Sequence, residues 1–200
     1  MTKDRSSRRI AAIAGAVAAA VITPAAFLWL TTSVDQVDQP STAATHSSNP
    51  HEYAPWLIKA GNVCPEIDSA LITAQIDTDS GWDPSARSVS GAEGLAQFLP
   101  EAWAEHGVDA NSNGVSSPLD AADAIMALAQ LDCRTAEQAN ADLSAGHIKG
   151  ELTDIVLASY NCGYGCVLAA GGIDPANASG GLNRESAEYV ASVKARMSGN

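Results

Sequence analysis

Three carboxylates lie within the stretch DSGWDPSARSVSGAEGLAQFLP, residues 79–100: Asp79, Asp83 and Glu93. Glycines, serines and Trp82 surround them, a composition rich in turn-forming residues. A carboxyl in such a setting suits general acid–base catalysis, which needs a group whose proton affinity the surroundings can tune. Asp79 is the best placed of the three. It falls at the end of a segment with helical periodicity, four residues after Gln75, where a rigid element can project it into a cleft. The partial negative charge at a helix C-terminus disfavours a second negative charge there and so favours the protonated acid. The competing reading is a polar helix end without chemistry. Asp83 precedes Pro84 in a turn, where an Asp commonly satisfies local backbone donors.

The elements that must position these residues read as helices. The first begins at Pro65, with Ile67, Ala70, Leu71 and Ala74 on one face, and ends near Gly81. A short helix is expected in GAEGLAQFL, 91–99, cut by Pro100, which opens another in PEAWAEHG. The longest spans 119–143, with Ala122, Ile125, Met126, Ala129 and Cys133 at helical spacing. ELTDIVLASYN forms a further helix, ended by the glycines of NCGYGC, and NRESAEYVASVKARM closes the chain with Val190, Val193 and Met197 on one side. No convincing strand appears, so the fold class is all-α or nearly so.

Charge and hydropathy divide the 200 residues into three parts. Residues 1–30 pair the basic flank KDRSSRR with an uncharged run, 10–30, long enough to cross a bilayer. This is either a signal peptide or a retained anchor with its N-terminus in the cytoplasm, and both place the remainder on the exported side. Residues 31–51 are polar, unpatterned and rich in Ser and Thr, a flexible linker. Residues 52–200 form the folded domain, read as a monomer. The net charge is -12; with +3 in the first 30 residues, the rest carries -15. A body so acidic excludes nucleic-acid binding through a phosphate-neutralising patch. Four cysteines, all in the exported part, suit disulfides in an oxidising compartment; zinc is the weaker competitor, for want of a C-x-x-C or a nearby His.

Three ordered motifs carry a resemblance. Asp79-Ser80, Trp82-Asp83-Pro84, Ala86 to Ser88 and Gly91 to Pro100 come first, then Ser159 to Gly163, then Glu185 to Val190. Together, over about residues 56–194, the chain resembles the lytic transglycosylases, peptidoglycan-cleaving relatives of goose-type lysozyme, in an actinobacterial-type form. The resemblance implies a lysozyme-like helical domain and cleavage of the MurNAc–GlcNAc bond. One acid preceding Ser protonates the glycosidic oxygen, then takes a proton from the sugar's own hydroxyl to leave an anhydro-MurNAc end. The substrate N-acetyl group replaces the usual second carboxylate, and no cofactor is required. The partner implied is a peptidoglycan glycan strand. By position, Asp79 is the catalytic residue; Gln97 and Tyr160 line the sugar groove, Asn161 shapes a loop entering it, and Glu185 and Tyr189 close one side. Ser80 is assigned to the acid or the substrate amide, and Trp82 to the core.

The chain departs from the family pattern at several places. The family has Glu where this chain has Asp79, whose carboxyl is one methylene, roughly 1–1.5 Å, further back, and a misplacement of ~1 Å can cost ~100-fold. The alternative function is therefore a weakened or inactive peptidoglycan-binding module. Glu93 is either an accessory acid or a solvated side chain. Cys162 and Cys166 flank two glycines at a spacing that can reach disulfide geometry, which leaves Cys64 to pair with Cys133. DANSNGVSSPLD, residues 109–120, places Asp109, Asn111, Asn113, Val115 and Asp120 at calcium-loop positions; an Asn/Gly turn is the equal competitor. Asn177-Ala178-Ser179 fits a glycosylation pattern but reads as loop.

Overall fold

A computed structural model of the protein describes residues 50–173 and 181–199. The membrane or signal run, nearly all of the linker and the Asn177 sequon lie outside the described residues. Within them no helix is long and apolar enough to cross a membrane.

Seven helices follow a single 3-10 turn at Pro50–Tyr53: α1 (Ala54–Ala60), α2 (Ser69–Asp79), α3 (Pro100–His106), α4 (Ala121–Ala145), α5 (Leu152–Cys162), α6 (Tyr164–Ala170) and α7 (Arg184–Ser198). Among the described residues β-structure is limited to isolated bridges. Three of the helix starts, those of α2, α4 and α7, are set by side-chain caps. Asp68 accepts the Leu71 N–H at 2.8 Å, Asp120 accepts Ala122 N–H at 2.9 Å, and Asn183 accepts Ser186 N–H at 2.8 Å. The cap at Asp68 corrects the expected start of α2: Pro65 sits in a turn closed by the Cys64–Ile67 bridge, and Ala70 is exposed.

α5 is the hub. It packs against α4, α6 and α7, and five consecutive residues, Ile155 to Ser159, are buried. α2 lies against α7, and α1 against α4. Alanines Ala124, Ala127, Ala129, Ala136 and Ala139 bury the inner face of α4, so neighbouring backbones can approach closely. Two disulfides tie the periphery. Cys64–Cys133 joins the approach to α2 with α4, and Cys162–Cys166 spans the elbow between α5 and α6. α6 was not expected from the sequence. Its start is hidden by the glycines of NCGYGC, and the Tyr164 hydroxyl holds it to Asp142 of α4 at 2.7 Å.

The expected helix over 91–99 does not form. Gly91, Gly94 and Gln97 all adopt positive φ, at 85°, 76° and 50°, and three left-handed residues in seven cannot propagate a right-handed helix. The segment instead folds back on itself, with Glu93 bridging both Arg87 and Phe98.

Candidate active site

Asp79 is the last residue of α2, and its side chain lines an open cleft of about 400 Å³. Besides α2, the cleft wall draws on five parts of the chain, Ala102 of α3 among them. Ser88, Ala92 and Gln97 come from the folded-back loop, Leu131 from α4, Tyr160 and Asn161 from α5, and Glu185 and Tyr189 from α7. A second hollow of about 640 Å³ continues past Leu99, Ala102, Leu131, Tyr160 and Asn161, residues that border both. The two together form an extended groove, a shape suited to a polymer rather than a compact metabolite.

The loop wall is held by backbone contacts. Gln97 donates its amide to the Ala86 and Gly94 carbonyls at 3.2 and 2.9 Å, which fixes its left-handed backbone at the cleft edge. Tyr160 donates its hydroxyl to the Ala96 carbonyl and so ties α5 to the same loop. Its ring stacks on Tyr189 at 6.5 Å and meets Phe98 edge-on at 5.9 Å. Asn161 accepts the Ser186 hydroxyl at 2.7 Å, locking α5 to the first turn of α7 beside the exposed Glu185.

The electrostatics centre on Asp79. Its Oδ2 is sealed from solvent and lacks a well-aligned partner. Burial pushes the carboxyl up to about 8, against an opposing interaction with the nearby Tyr189 hydroxyl. The group is therefore a carboxylic acid at neutral pH and can donate a proton into the cleft. Tyr160 and Tyr189 are themselves pushed above the ordinary phenol range, first by burial and then by the charge of Asp79.

Other residues singled out in the sequence fall elsewhere. Ser80 turns its hydroxyl back to the Ile76 carbonyl at 3.2 Å and accepts the Trp82 N–H, so it finishes α2 and does not line the cleft. Trp82 is buried and stacked on Tyr53. Asp83 accepts the backbone N–H and hydroxyl of Ser85, as a turn Asp does. Glu93 pairs with Arg87 and does not line the cleft. Asp109, Asn111, Asn113 and Asp120 do come together. Asp120 accepts both Asn amides, at 2.9 and 3.1 Å, while capping α4, and Asn113 accepts the Val115 N–H. A cation there would meet two carboxylates and would have to displace those amides; no group of three His, Cys, Asp or Glu gathers among the described residues. The loop is pinned instead by buried Asp123, which accepts Ala110 N–H and Ser117 N–H at 2.7 and 3.1 Å.

Two site-proximal residues were missed in the sequence, Gln75 and Asp132. Both are buried polar side chains behind Asp79. The signal was present. Each sits at a position where helical spacing calls for an apolar residue, Gln75 between Ile72 and Ile76 and Asp132 four residues after Leu128.

Residues 57–179 match the family model described as the transglycosylase SLT domain. Among solved structures, the 70-kDa soluble lytic transglycosylase from Escherichia coli superposes with a TM-score of 0.56 at 24% identity, over 72% of this chain and 23% of that one. An inactive mutant of the lytic transglycosylase Slt from Pseudomonas aeruginosa gives 0.54 at 20% identity, over 74% and 24%. The 70-kDa enzyme in complex with bulgecin A gives 0.56 at 24% identity, over 74% and 24%. This chain spans about a quarter of the length of the solved structures it matches, and the likeness fixes the helical fold.

Proposed function

From a chain that belongs to the transglycosylase SLT domain family, we infer a peptidoglycan lytic transglycosylase that works through Asp79. The observation that carries this reading is a carboxyl pushed up to about 8 on the wall of an extended groove. The protonated Asp79 gives its proton to the glycosidic oxygen as the C1–O bond of MurNAc breaks. The carboxylate that remains then takes the proton of the MurNAc hydroxyl that attacks C1. The new C1–O bond closes the anhydro ring, and Asp79 ends protonated for the next turnover. The substrate N-acetyl group supports the developing cation, so the exposed Glu185 across the cleft is not needed as a nucleophile. Gln97, Asn161 and the Tyr160–Tyr189 stack supply the polar and aromatic faces that position the sugars. The reaction needs no cofactor. Two disulfides and a wall polymer as substrate both support an exported location.

The experiment is digestion of purified peptidoglycan with the full chain, followed by mass spectrometry. Anhydro-muropeptides are expected. Reducing ends would make it a hydrolase, and glycan binding without product would make it the binding module that an acid one methylene short would leave.

A further inference from the structure

The second hollow, of about 640 Å³, takes no part in the proton transfers of Asp79. Three pieces of the fold wall it. On α4, Leu131, Arg134 and Gln138 follow i, i+3, i+7 spacing and so share one face. Glu105 and His106 stand at the end of α3, and the elbow between α5 and α6 brings Tyr164. The Tyr164 hydroxyl is already spent on Asp142 at 2.7 Å, so its ring is fixed as a wall. Arg134 is placed differently. Its Nη2 donates to Nδ1 of His106 at 3.0 Å, and His106 borders this hollow, so the guanidinium head is held at its edge.

A guanidinium only donates, so Nδ1 of His106 is the acceptor and the ring proton sits on Nε2. That second nitrogen lies 3.8 Å from a carboxylate oxygen of Glu105, whose side chain is 77% exposed and well screened by water. The bond to His106 uses one of the five N–H donors of Arg134. Arg87, Arg184 and Arg196 each pair with a carboxylate; among the described arginines, Arg134 alone does not.

The two halves of the groove therefore differ in chemistry. The Asp79 cleft offers aromatic faces and amides, which suit sugars. The second hollow adds a cation. The sugars of peptidoglycan are uncharged once the lactyl group of MurNAc is in amide linkage; the polymer's carboxylates sit on its peptide stems. Leu131, Tyr160 and Asn161 border both hollows, so a stem leaving a sugar in the cleft enters the second hollow directly. We propose that this hollow seats the peptide stem of MurNAc, and that Arg134 is a specificity-determining residue that takes a stem carboxylate on the N–H groups the His106 bond leaves over. The proposal rests on the reading of the chain as a peptidoglycan lytic transglycosylase. A planar guanidinium matches a carboxylate with two parallel bonds, and His106 holds it ready. The strongly acidic body around it repels anions elsewhere, which makes this edge of the groove the selective place for one.

The test uses the full chain and peptidoglycan in two forms, with the stem carboxylates free or converted to amides. The unsubstituted chain should release anhydro-muropeptides from the free form with a kcat/KM about tenfold higher, the scale of one charge-assisted hydrogen bond, and most of the difference should lie in KM. Arg134→Gln should lose that preference by slowing on the free form, and Arg134→Glu should prefer the amidated form. Arg134 is exposed and outside the Asp79 cleft, so both variants should keep the melting temperature of the unsubstituted chain. Equal rates on the two forms in the unsubstituted chain overturn the proposal. So does an equal loss on both forms in Arg134→Gln, which would make the hollow a seat for uncharged sugars. Binding gives a readout that needs no turnover. In NMR titrations with the peptide L-Ala-γ-D-Glu-L-Lys the His106 ring signals should shift, and the shift should vanish in Arg134→Gln and when the peptide's carboxylates are amidated. Shifts indifferent to amidation, or none at all, sink the proposal. If the shifts appear as expected while neither form of peptidoglycan yields anhydro product, the assigned reaction fails and the stem site stands.

Discussion

Gly94 faces Pro118 so closely that a Cβ on Gly94 would overlap the Pro118 carbonyl oxygen. The contact clamps the cleft-lining loop against the segment that leads into α4, and the φ of 76° at Gly94 adds a backbone demand of its own. Gly94→Ala should therefore cost roughly 2 kcal/mol or more in chemical denaturation. Gly91 gives the control. It has a φ of 85° but nothing within 4 Å of a built Cβ, so Gly91→Ala should cost only about 1 kcal/mol. Equal losses at the two sites would show that the close approach to Pro118 is unimportant.

The two disulfides should differ in weight. Cys64–Cys133 closes a separation of 69 residues and Cys162–Cys166 one of 4. In the chain-entropy account these correspond to about 4 and about 2 kcal/mol. Replacing Cys64 and Cys133 together by Ala should lower the melting temperature more than replacing Cys162 and Cys166. The reverse order in calorimetry would mean that the α5–α6 elbow, not chain entropy, dominates.

Calcium should matter little to the 109–120 loop at low concentration. Asp120 already caps α4 and accepts both Asn amides, and the loop offers a cation two carboxylates. Extracellular sites of this kind bind at roughly 10⁻⁴ to 10⁻³ M. The melting temperature should stay constant up to about 10 µM calcium; a rise in that range, lost in Asp109→Ala, would show a tighter site than the hydrogen bonds imply.

Glu93 should be dispensable for turnover. Its pairing with Arg87 and its place away from the cleft leave it no proton to transfer. Glu93→Gln should keep kcat/KM within about fivefold, since exposed pairs contribute ~1 kcal/mol at most. A loss of two orders of magnitude in anhydro-muropeptide release would relocate the acid.

Residue by residue, the sequence was most legible where local physics decides the outcome. α4 and α7 were readable because apolar spacing and a capping Asp or Asn agree, and α5 from its apolar spacing alone. The position of Asp79 at the end of α2 was readable from the helical periodicity that leads up to it. The expected helix at 91–99 fails because LAQF carries helical spacing, while Gly91, Gly94 and Gln97 take left-handed backbones, held at Gly94 by the Pro118 contact and at Gln97 by its amide bonds. Gln75 and Asp132 stand at helix positions where spacing calls for an apolar residue, but which groups they meet depends on α2, α4 and α7 converging, a tertiary fact. Ser80 is expected from the sequence to meet the acid or the substrate amide, but a hydroxyl at a helix end has its own helix's carbonyl closer at hand.

The pH dependence of Asp79 joins stability to catalysis. Its carboxyl titrates near 3.8 when exposed and near 8 in the fold. Between those values the folded chain holds a proton that the unfolded chain releases. The contribution to stability is thus full below about pH 4 and is lost as pH rises through about 8. Asp132, also raised, adds to the same slope. Asp79→Asn deletes one share, so the variant should lose less stability between pH 5 and pH 8 than the unsubstituted chain in matched denaturant titrations. Activity follows the same proton in the other direction of consequence. The acid must be protonated to donate, so kcat/KM should fall as pH passes about 8, and Asp79→Asn should lower turnover by ~100- to 10,000-fold at neutral pH. Asp79→Glu restores the longer reach and should raise the rate if the cleft admits the extra methylene. Full activity in Asp79→Asn, or an alkaline limb that stays in place when Asp79 becomes Glu, would remove this residue from the reaction.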